Sequence, residues 1–411
     1  MTDSIRLGRI LGIPIGINWS IVAVAVFFTA GLAVQALPRS VPDSSLGLRV
    51  AAAAIAVLVF FASILAHELG HAVAALGHGV GVHGITLWLL GGVAKLDRQA
   101  PSARAEFQIA VAGPAVSFAL GIFFVALTVI AIAVLEAPLA VAVLAWLGLV
   151  NIVLAVFNLL PAAPLDGGRV LTAALWKRLG NAEQARIISG RCGLFLAIAL
   201  ITIGVVQLMV FEQFGGWVTA LVGGFSFTAA RAEIAAAAVR RRLLDTEVGR
   251  LAVRHPPSVP DTITVTQLLE WAGPDGANTA HPVTRWGPEP IGYVVPADLA
   301  TLLTGPERSW TQIREIMHRP TDVECVGTSD SVDSLLRRWE AGAASLALVA
   351  NHAGGPSFAT ITDHQVRPLL VSPNLWGGER AAKPPLVVGG PRPAVQEVPA
   401  AQPGAGPGSR R

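Results

Sequence analysis

Apolar residues run through the first half of the chain in long blocks, with polar residues confined to the gaps between them. Blocks near residues 18–37, 50–76, 108–134, 139–160, 190–210 and 214–230 are uniformly hydrophobic, and one bilayer crossing takes roughly 20 such residues. The pattern predicts about six transmembrane helices, the last one short. Between Phe107 and Leu165 the one formally charged side chain is Glu136. The first block is too long for a signal-peptide core of roughly 7 to 15 residues and lacks a small-x-small cleavage site, so it reads as a retained anchor.

The gap between the second and third blocks, "HGVGVHGITLWLLGGVAKLDR" at 78–98, has a different texture. Glycine and β-branched residues without helix caps predict a β-hairpin or re-entrant segment. Backbone of that kind is tolerated at membrane depth only where protein buries it or a watery cavity receives it.

After about Arg242 the apolar blocks stop and mixed, charged sequence begins. Within it, "VRHPPSVPDTITVTQLLEWA" is echoed by "MHRPTDVECVGTSDSVDSLLRRWE", and "IGYVVPADLATLL" by "SFATITDHQVRPLL". Each copy reads loop, strand, helix, strand, strand, helix. The organisation is therefore a membrane domain over 1–235, two α+β repeats over 246–305 and 311–370, and a disordered Pro/Gly-rich tail over 371–411.

Composition sharpens this picture in three ways. With 53% hydrophobic and 14% charged residues and a mean hydropathy of +0.59, the chain is a polytopic membrane protein that lives in the lipid bilayer. A net charge of +3 gives no basic surface for nucleic acid. The two cysteines, Cys192 and Cys325, fall on opposite sides of the boundary, which excludes a disulfide framework and a cysteine zinc site. Arginine and lysine also fix an orientation, because cytoplasmic flanks collect them. With both termini inside, the inner flanks hold Arg6, Arg9, Lys95, Arg98, Arg104, Arg169, Lys177, Arg178, Arg186, Arg191, Arg231 and Arg240 to Arg242, against Arg39 and Arg49 outside. That arrangement suits a multi-pass protein of the plasma (inner) membrane of a cell.

Chemistry concentrates in "LAHELGHAVA" at 65–74, inside the second block. His67 and His71 are four apart, so on a helix both imidazoles leave one face and can share a metal. Glu68 sits about 100° around the same helix, within reach of a metal-bound water. Ionisable groups inside a span are costly and point to function. A catalytic zinc needs a third protein ligand and one open position, for which His78, His83, Asp97 and Asp166 are the candidates. Asp166 stands in "NLLPAAPLDGGRV" at 158–170, where prolines break a span and "DGG" starts a new helix.

"HELGH", "AGP" at 112–114 and "FNLLPAAPLDGGR" at 157–169 together resemble the site-2 protease family of intramembrane zinc metalloproteases. The resemblance covers residues 1 to about 235. It implies that His67, His71 and Asp166 bind one Zn2+, that Glu68 is the general base, and that Asn158 stabilises the oxyanion. It also implies that the strand around Gly91 and Gly92 holds the substrate, a single-span membrane protein such as an anti-sigma factor. The residues leave blander readings open: Asn158 as a cap on the break before Pro161, "AGP" as a small-residue helix contact, and Gly91 and Gly92 as a turn.

The repeat resembles a pair of cystathionine-beta-synthase-type (CBS) domains, so the resemblance is to the CBS-bearing prokaryotic branch of the family. Such pairs bind adenine nucleotides through a Gly-h-h-Thr-x-x-Asp pattern. The second copy keeps Thr360 and Asp363 but has Ser357 in place of glycine; the first keeps Gly292 and Asp298 but has Val295 in place of threonine. Two readings follow: a nucleotide site on Asp298, Thr360 and Asp363, or a structural module that dimerises. A function of another class, a CBS-regulated transporter or channel, is opposed by the absence of an internal repeat across the spans.

Overall fold

The computed structural model describes residues 4–88, 91–134, 137–211, 215–287, 289–302, 305–342, 346–350 and 359–370. The tail expected from residue 371 and the Ser357 departure lie outside them. The described chain forms two compact units, one holding residues up to Arg250 with 329–342 and 366–370, the other holding 251–328 with 346–350 and 359–365.

In the first unit, five helices among the described residues are long and apolar enough to cross a membrane: α1 (Ser20–Ser40, through a π-helical turn at Leu32–Ala36), α2 (Leu46–Gly77), α3 (Ala103–Val134), α4 (Pro138–Asn158) and, after the short α5 (Asp166–Leu179), α6 (Ala182–Met209). The block expected to be a sixth span is the head of α7 (Gly215–Asp245). It is helical and packs closely on α6, while Gly215, Gly216, Gly223, Gly224 and Arg231 leave it less apolar than the other five. Side-chain caps set two of the helix starts: Ser45 Oγ accepts from Leu48 N (3.4 Å) before α2, and Asn181 Oδ1 accepts from Gln184 N (2.9 Å) before α6. At the end of α5, Gly180 takes the left-handed conformation (φ +71°).

Small residues let the helices approach. A Cβ on Gly121 of α3 would lie 2.6 Å from Ile152 Cγ1 of α4, and one on Gly204 of α6 would lie 2.5 Å from Ala220 N of α7. Where lipid is as apolar as leucine, close backbone packing of this kind is what holds helices together.

The hairpin expected at 78–98 forms from β3 (Val82–Trp88) and β4 (Gly91–Leu96), paired antiparallel. It belongs to a larger sheet. An N-terminal hairpin, β1 (Ser4–Ile10) and β2 (Ile13–Asn18), turns at Leu11 and Gly12 (φ +52° and +80°) and adds through β2, parallel to β3, to give the order β1-β2-β3-β4. The period-two run Ile13, Ile15, Ile17 carries the signal for β2. Because it abuts the first apolar block, its alternation merges with that block in the sequence. Ile13, Ile15 and Ile85 are buried and pack with Leu65, Leu69 and Ala72, which seats the sheet on α2 at the level of the HELGH turn.

The second unit contains two small sheets. In chain order its main elements are β5 (Val253–Arg254), β6 (Val259–Pro260), α8 (Val265–Gly276), β7 (His281–Thr284), β8 (Gly292–Val294), α9 (Pro296–Leu302), β9 (Glu324–Gly327), β10 (Leu346–Ala350) and β11 (Ala359–Thr362). The sheets run β6-β7-β8 and β5-β11-β10-β9. Val259, Val265, Leu268, Val283, Val294, Leu299 and Ile313 form the core of the first.

Adjacent glycines of α7 test the packing argument. A Cβ on Gly223 would meet Ile201 N and Cγ1 at 2.8 Å, whereas one on Gly224 meets nothing within 4 Å. Gly223→Ala should destabilise the detergent-solubilised protein by about 1–3 kcal/mol. Gly224→Ala should be neutral or stabilise by up to ~1 kcal/mol, and thermal unfolding of the two variants compares them directly.

Candidate functional site

The site starts from a break in the chain. α4 ends at Asn158, residues 159–165 turn, and α5 begins at Asp166. The turn is packed too closely for side chains at the next two positions. A Cβ on Gly167 would lie 2.2 Å from Leu160 O, and one on Gly168 would lie 2.4 Å from Ala163 N. From the other side Gly193 of α6 presses on the same turn, where a Cβ would lie 1.9 Å from Ala163 O. Ser189 Oγ (2.7 Å) and Thr172 Oγ1 (2.9 Å) both donate to Gly168 O. "DGG" is thus the sequence that lets the first turn of α5 sink into the bundle and carry its carboxylate inward.

There Asp166 meets α2. His67 Nε2, His71 Nε2 and Asp166 Oδ2 form a triangle with all three sides 3.2 Å. The imidazoles are 4% and 6% exposed. A tetrahedral zinc with bonds of about 2.0–2.1 Å holds its ligands about 3.3–3.4 Å apart. The triangle therefore fits three corners of a zinc site, with histidine nitrogens and a carboxylate as the donors. It is the one such group of three among the described residues.

α3 prepares those donors. Ser117 Oγ pairs with His67 Nδ1 at 2.9 Å, and Ile109 O accepts from His71 Nδ1 at 2.7 Å. Holding each Nδ1 orients the ring and leaves Nε2 for the metal. Between these two contacts stands Gly113, where a Cβ would lie 2.2 Å from His71 Nε2 and 2.7 Å from His67 Nε2. Positions 109, 113 and 117 repeat every four residues, so one face of α3 backs the whole site. The sequence reading noticed "AGP" and weighed it as a helix contact. It missed Ser117 and the Ile109 carbonyl, and the spacing Gly113-x-x-x-Ser117 is the signal that could have led to the serine.

The other expected residues are placed as follows. Gly92 of β4 runs against Glu68, since a Cβ there would lie 2.2 Å from Glu68 Cγ and 2.9 Å from Oε1. Gly91 has φ +130°, a conformation that favours glycine. β4 is an edge strand of its sheet, and its face at Gly92 lies against Glu68. Asn158 is not gathered with the histidines by any contact: its Nδ2 donates to Leu154 O of its own helix at 3.0 Å. Of the alternative ligands, His83 pairs with Asp97 across the hairpin and His78 follows the end of α2. None of these three joins the triangle.

In the second unit, Thr360 is 1% exposed and donates its hydroxyl to Ala280 O at 3.2 Å. Asp298 and Asp363 approach the same imidazole, His364 Nε2, at 3.9 and 3.6 Å.

Comparison with known proteins bears on this site. Residues 55–133 and 128–201 match the sequence profile of peptidase family M50. Rip3 of Mycobacterium tuberculosis, named as a zinc metalloprotease, is 34% identical over 364 residues, which is 88% of this chain and 92% of Rip3. Among solved structures, the site-2 protease of Methanocaldococcus jannaschii is similar at 31% identity with a TM-score of 0.41, over 56% of this chain and 95% of that one. The CBS domain of a bacterial CNNM/CorC family Mg2+ transporter aligns at 18% identity and a TM-score of 0.28, over 38% of this chain and 95% of that one.

Gly113→Ala should empty the centre without unfolding the bundle, because the added methyl takes the space beside both Nε2 atoms. Bound zinc measured by elemental analysis should fall by more than about tenfold. Ser117→Ala should weaken zinc binding by about 10- to 100-fold, while His83→Ala should leave it unchanged.

Proposed function

The chain belongs to peptidase family M50 and is a membrane zinc metalloprotease, and we propose that it hydrolyses peptide bonds within the transmembrane segments of single-span proteins. The observation that carries this reading is the 3.2 Å triangle of His67, His71 and Asp166, with the β4 backbone drawn up against Glu68.

A peptide bond inside a helix is shielded by its own hydrogen bonds, so a substrate must be held extended before it can be cut. The outer edge of β4 supports that step by pairing with substrate backbone as an added strand. Side chains at 91 and 92 are absent where the two backbones and Glu68 must come together. His67, His71 and Asp166 hold the zinc. Bound there, zinc supplies Lewis acidity, polarising the scissile carbonyl and lowering the pKa of a bound water towards about 7. Glu68 takes a proton from the attacking water at its carboxylate and returns it to the leaving nitrogen. Asn158 donates Nδ2–H to the developing oxyanion. One Nδ2–H goes to Leu154 O in this structure, and the second N–H of the same amide is the donor for that role.

The reading extends to cellular setting and control. Both termini lie in the cytoplasm and the protein works in the inner membrane, in agreement with the arginine bias of the inner flanks. Its substrates include anti-sigma factors already trimmed by another protease. The second unit, in its resemblance to a CBS pair, governs access to the site by shifting an open-closed equilibrium and offers a surface for dimerisation. The buried Thr360 hydroxyl, donated to Ala280 O, favours a structural role for that module over an adenine-nucleotide site.

Two measurements test this. In liposomes with tagged single-span peptides, Glu68→Gln should cleave about 10²- to 10⁴-fold more slowly than the parent while retaining its zinc; equal cleavage by both forms removes Glu68 from the mechanism. Millimolar ATP or AMP should leave the melting temperature of the full chain unchanged, and a rise of several degrees would restore the nucleotide site.

A further inference from the structure

The face of α3 that backs the site continues one turn towards its N-terminus. Three residues before Ile109 stands Glu106, 3% exposed although it is ionisable. Its Oε1 accepts from Arg169 Nε of α5 at 2.9 Å. Arg169 is three residues after Asp166, on the same side of the first turn of α5. One face of α3 therefore reaches His67 through Ser117, His71 through Ile109 O, and the helix of Asp166 through Glu106. Nothing in the reaction proposed above uses Glu106 or Arg169.

We infer that Glu106 and Arg169 are a positioning pair that keeps the Asp166 carboxylate available to the metal. The argument is one of competition. A guanidinium one turn from a carboxylate on the same helix is a strong partner for it, through charge-assisted and often bidentate hydrogen bonds. Asp166 Oδ2 is the atom that both imidazoles approach at 3.2 Å, so an arginine that turned to it would take the oxygen the metal needs. Glu106 holds the guanidinium on α3 instead. Burying a carboxylate is costly unless it is paired, and Glu106, with a side chain 4% exposed against 35% for Arg169, would be left uncompensated without that partner. Glu106 and Arg169 therefore act together, and through Asp166 rather than on the substrate.

This inference rests on the reading of His67, His71 and Asp166 as zinc ligands, and it predicts a rescue that a merely structural contact would not produce. In the full-length protein in detergent, zinc affinity is measured by competition with a chelator. Glu106→Gln should weaken it by about 10- to 100-fold, because Arg169 is released towards Asp166. The double variant Glu106→Gln/Arg169→Gln should recover most of that loss, with the coupling read from the double-mutant cycle. Cleavage by Glu106→Gln should approach that of the parent at saturating zinc. The inference is overturned if Glu106→Gln binds zinc as tightly as the parent, or if the double variant binds no better than the single one. Should Glu106→Gln fail to fold, Glu106→Asp replaces it: the charge stays but the carboxylate is withdrawn, and unchanged zinc affinity there overturns the inference equally. A parent protein that carries no zinc sinks the metal site itself, whereas a zinc-loaded parent with insensitive variants sinks only the pair.

Discussion

The structure depends on bringing a carboxylate to two imidazoles in surroundings that penalise charge. Asp166 is 99 residues from His67 and 95 from His71 in the chain, yet its Oδ2 stands 3.2 Å from both Nε2 atoms. In an apolar interior an unpaired carboxylate is expensive, so the fold must supply its partners before the charge is tolerable. Much of the first unit can be read as the means to that end. The chain breaks after Asn158, restarts at Asp166, and uses Gly167, Gly168 and Gly193 to let backbone pass where side chains would collide.

Glycine recurs wherever two functional groups must share space. Gly113 leaves room beside both ring nitrogens, and Gly92 leaves room beside Glu68. Neither residue offers a donor, an acceptor or a charge. Their contribution is the volume they do not fill, in an interior packed as densely as an organic crystal. α3 serves as the template. Its face through Glu106, Ile109, Gly113 and Ser117 carries the contacts that orient the metal donors.

The sheet adds a second constraint. β2 and β3 bury Ile13, Ile15 and Ile85 on α2 beside Leu65, Leu69 and Ala72, within the same turns that carry His67, Glu68 and His71. The strand pairing that seats β3 also sets the position of β4, the strand beside Glu68. In the proposed reaction this couples the place where a substrate is held to the place where a proton is moved, without a flexible linker between them.

The chain by itself determined the elements and the donors. Long apolar blocks announce membrane helices because the bilayer leaves few alternatives, and HELGH declares itself because helical spacing puts both histidines on one face. "LDGG" marked Asp166 through its proline break and paired glycines, though His78, His83 and Asp97 stayed open as ligands on sequence alone. Tertiary structure decided which carboxylate reaches the histidines, since that choice depends on how α5 packs against α3 and α6. It also decided that 78–98 joins an N-terminal hairpin and that Asn158 turns to its own helix. The Ile109 carbonyl and Glu106 could not be found by composition or motif, because their roles come from what stands opposite them. Local sequence encodes period and propensity; a partner dozens of residues away is encoded only in the packing of the whole unit.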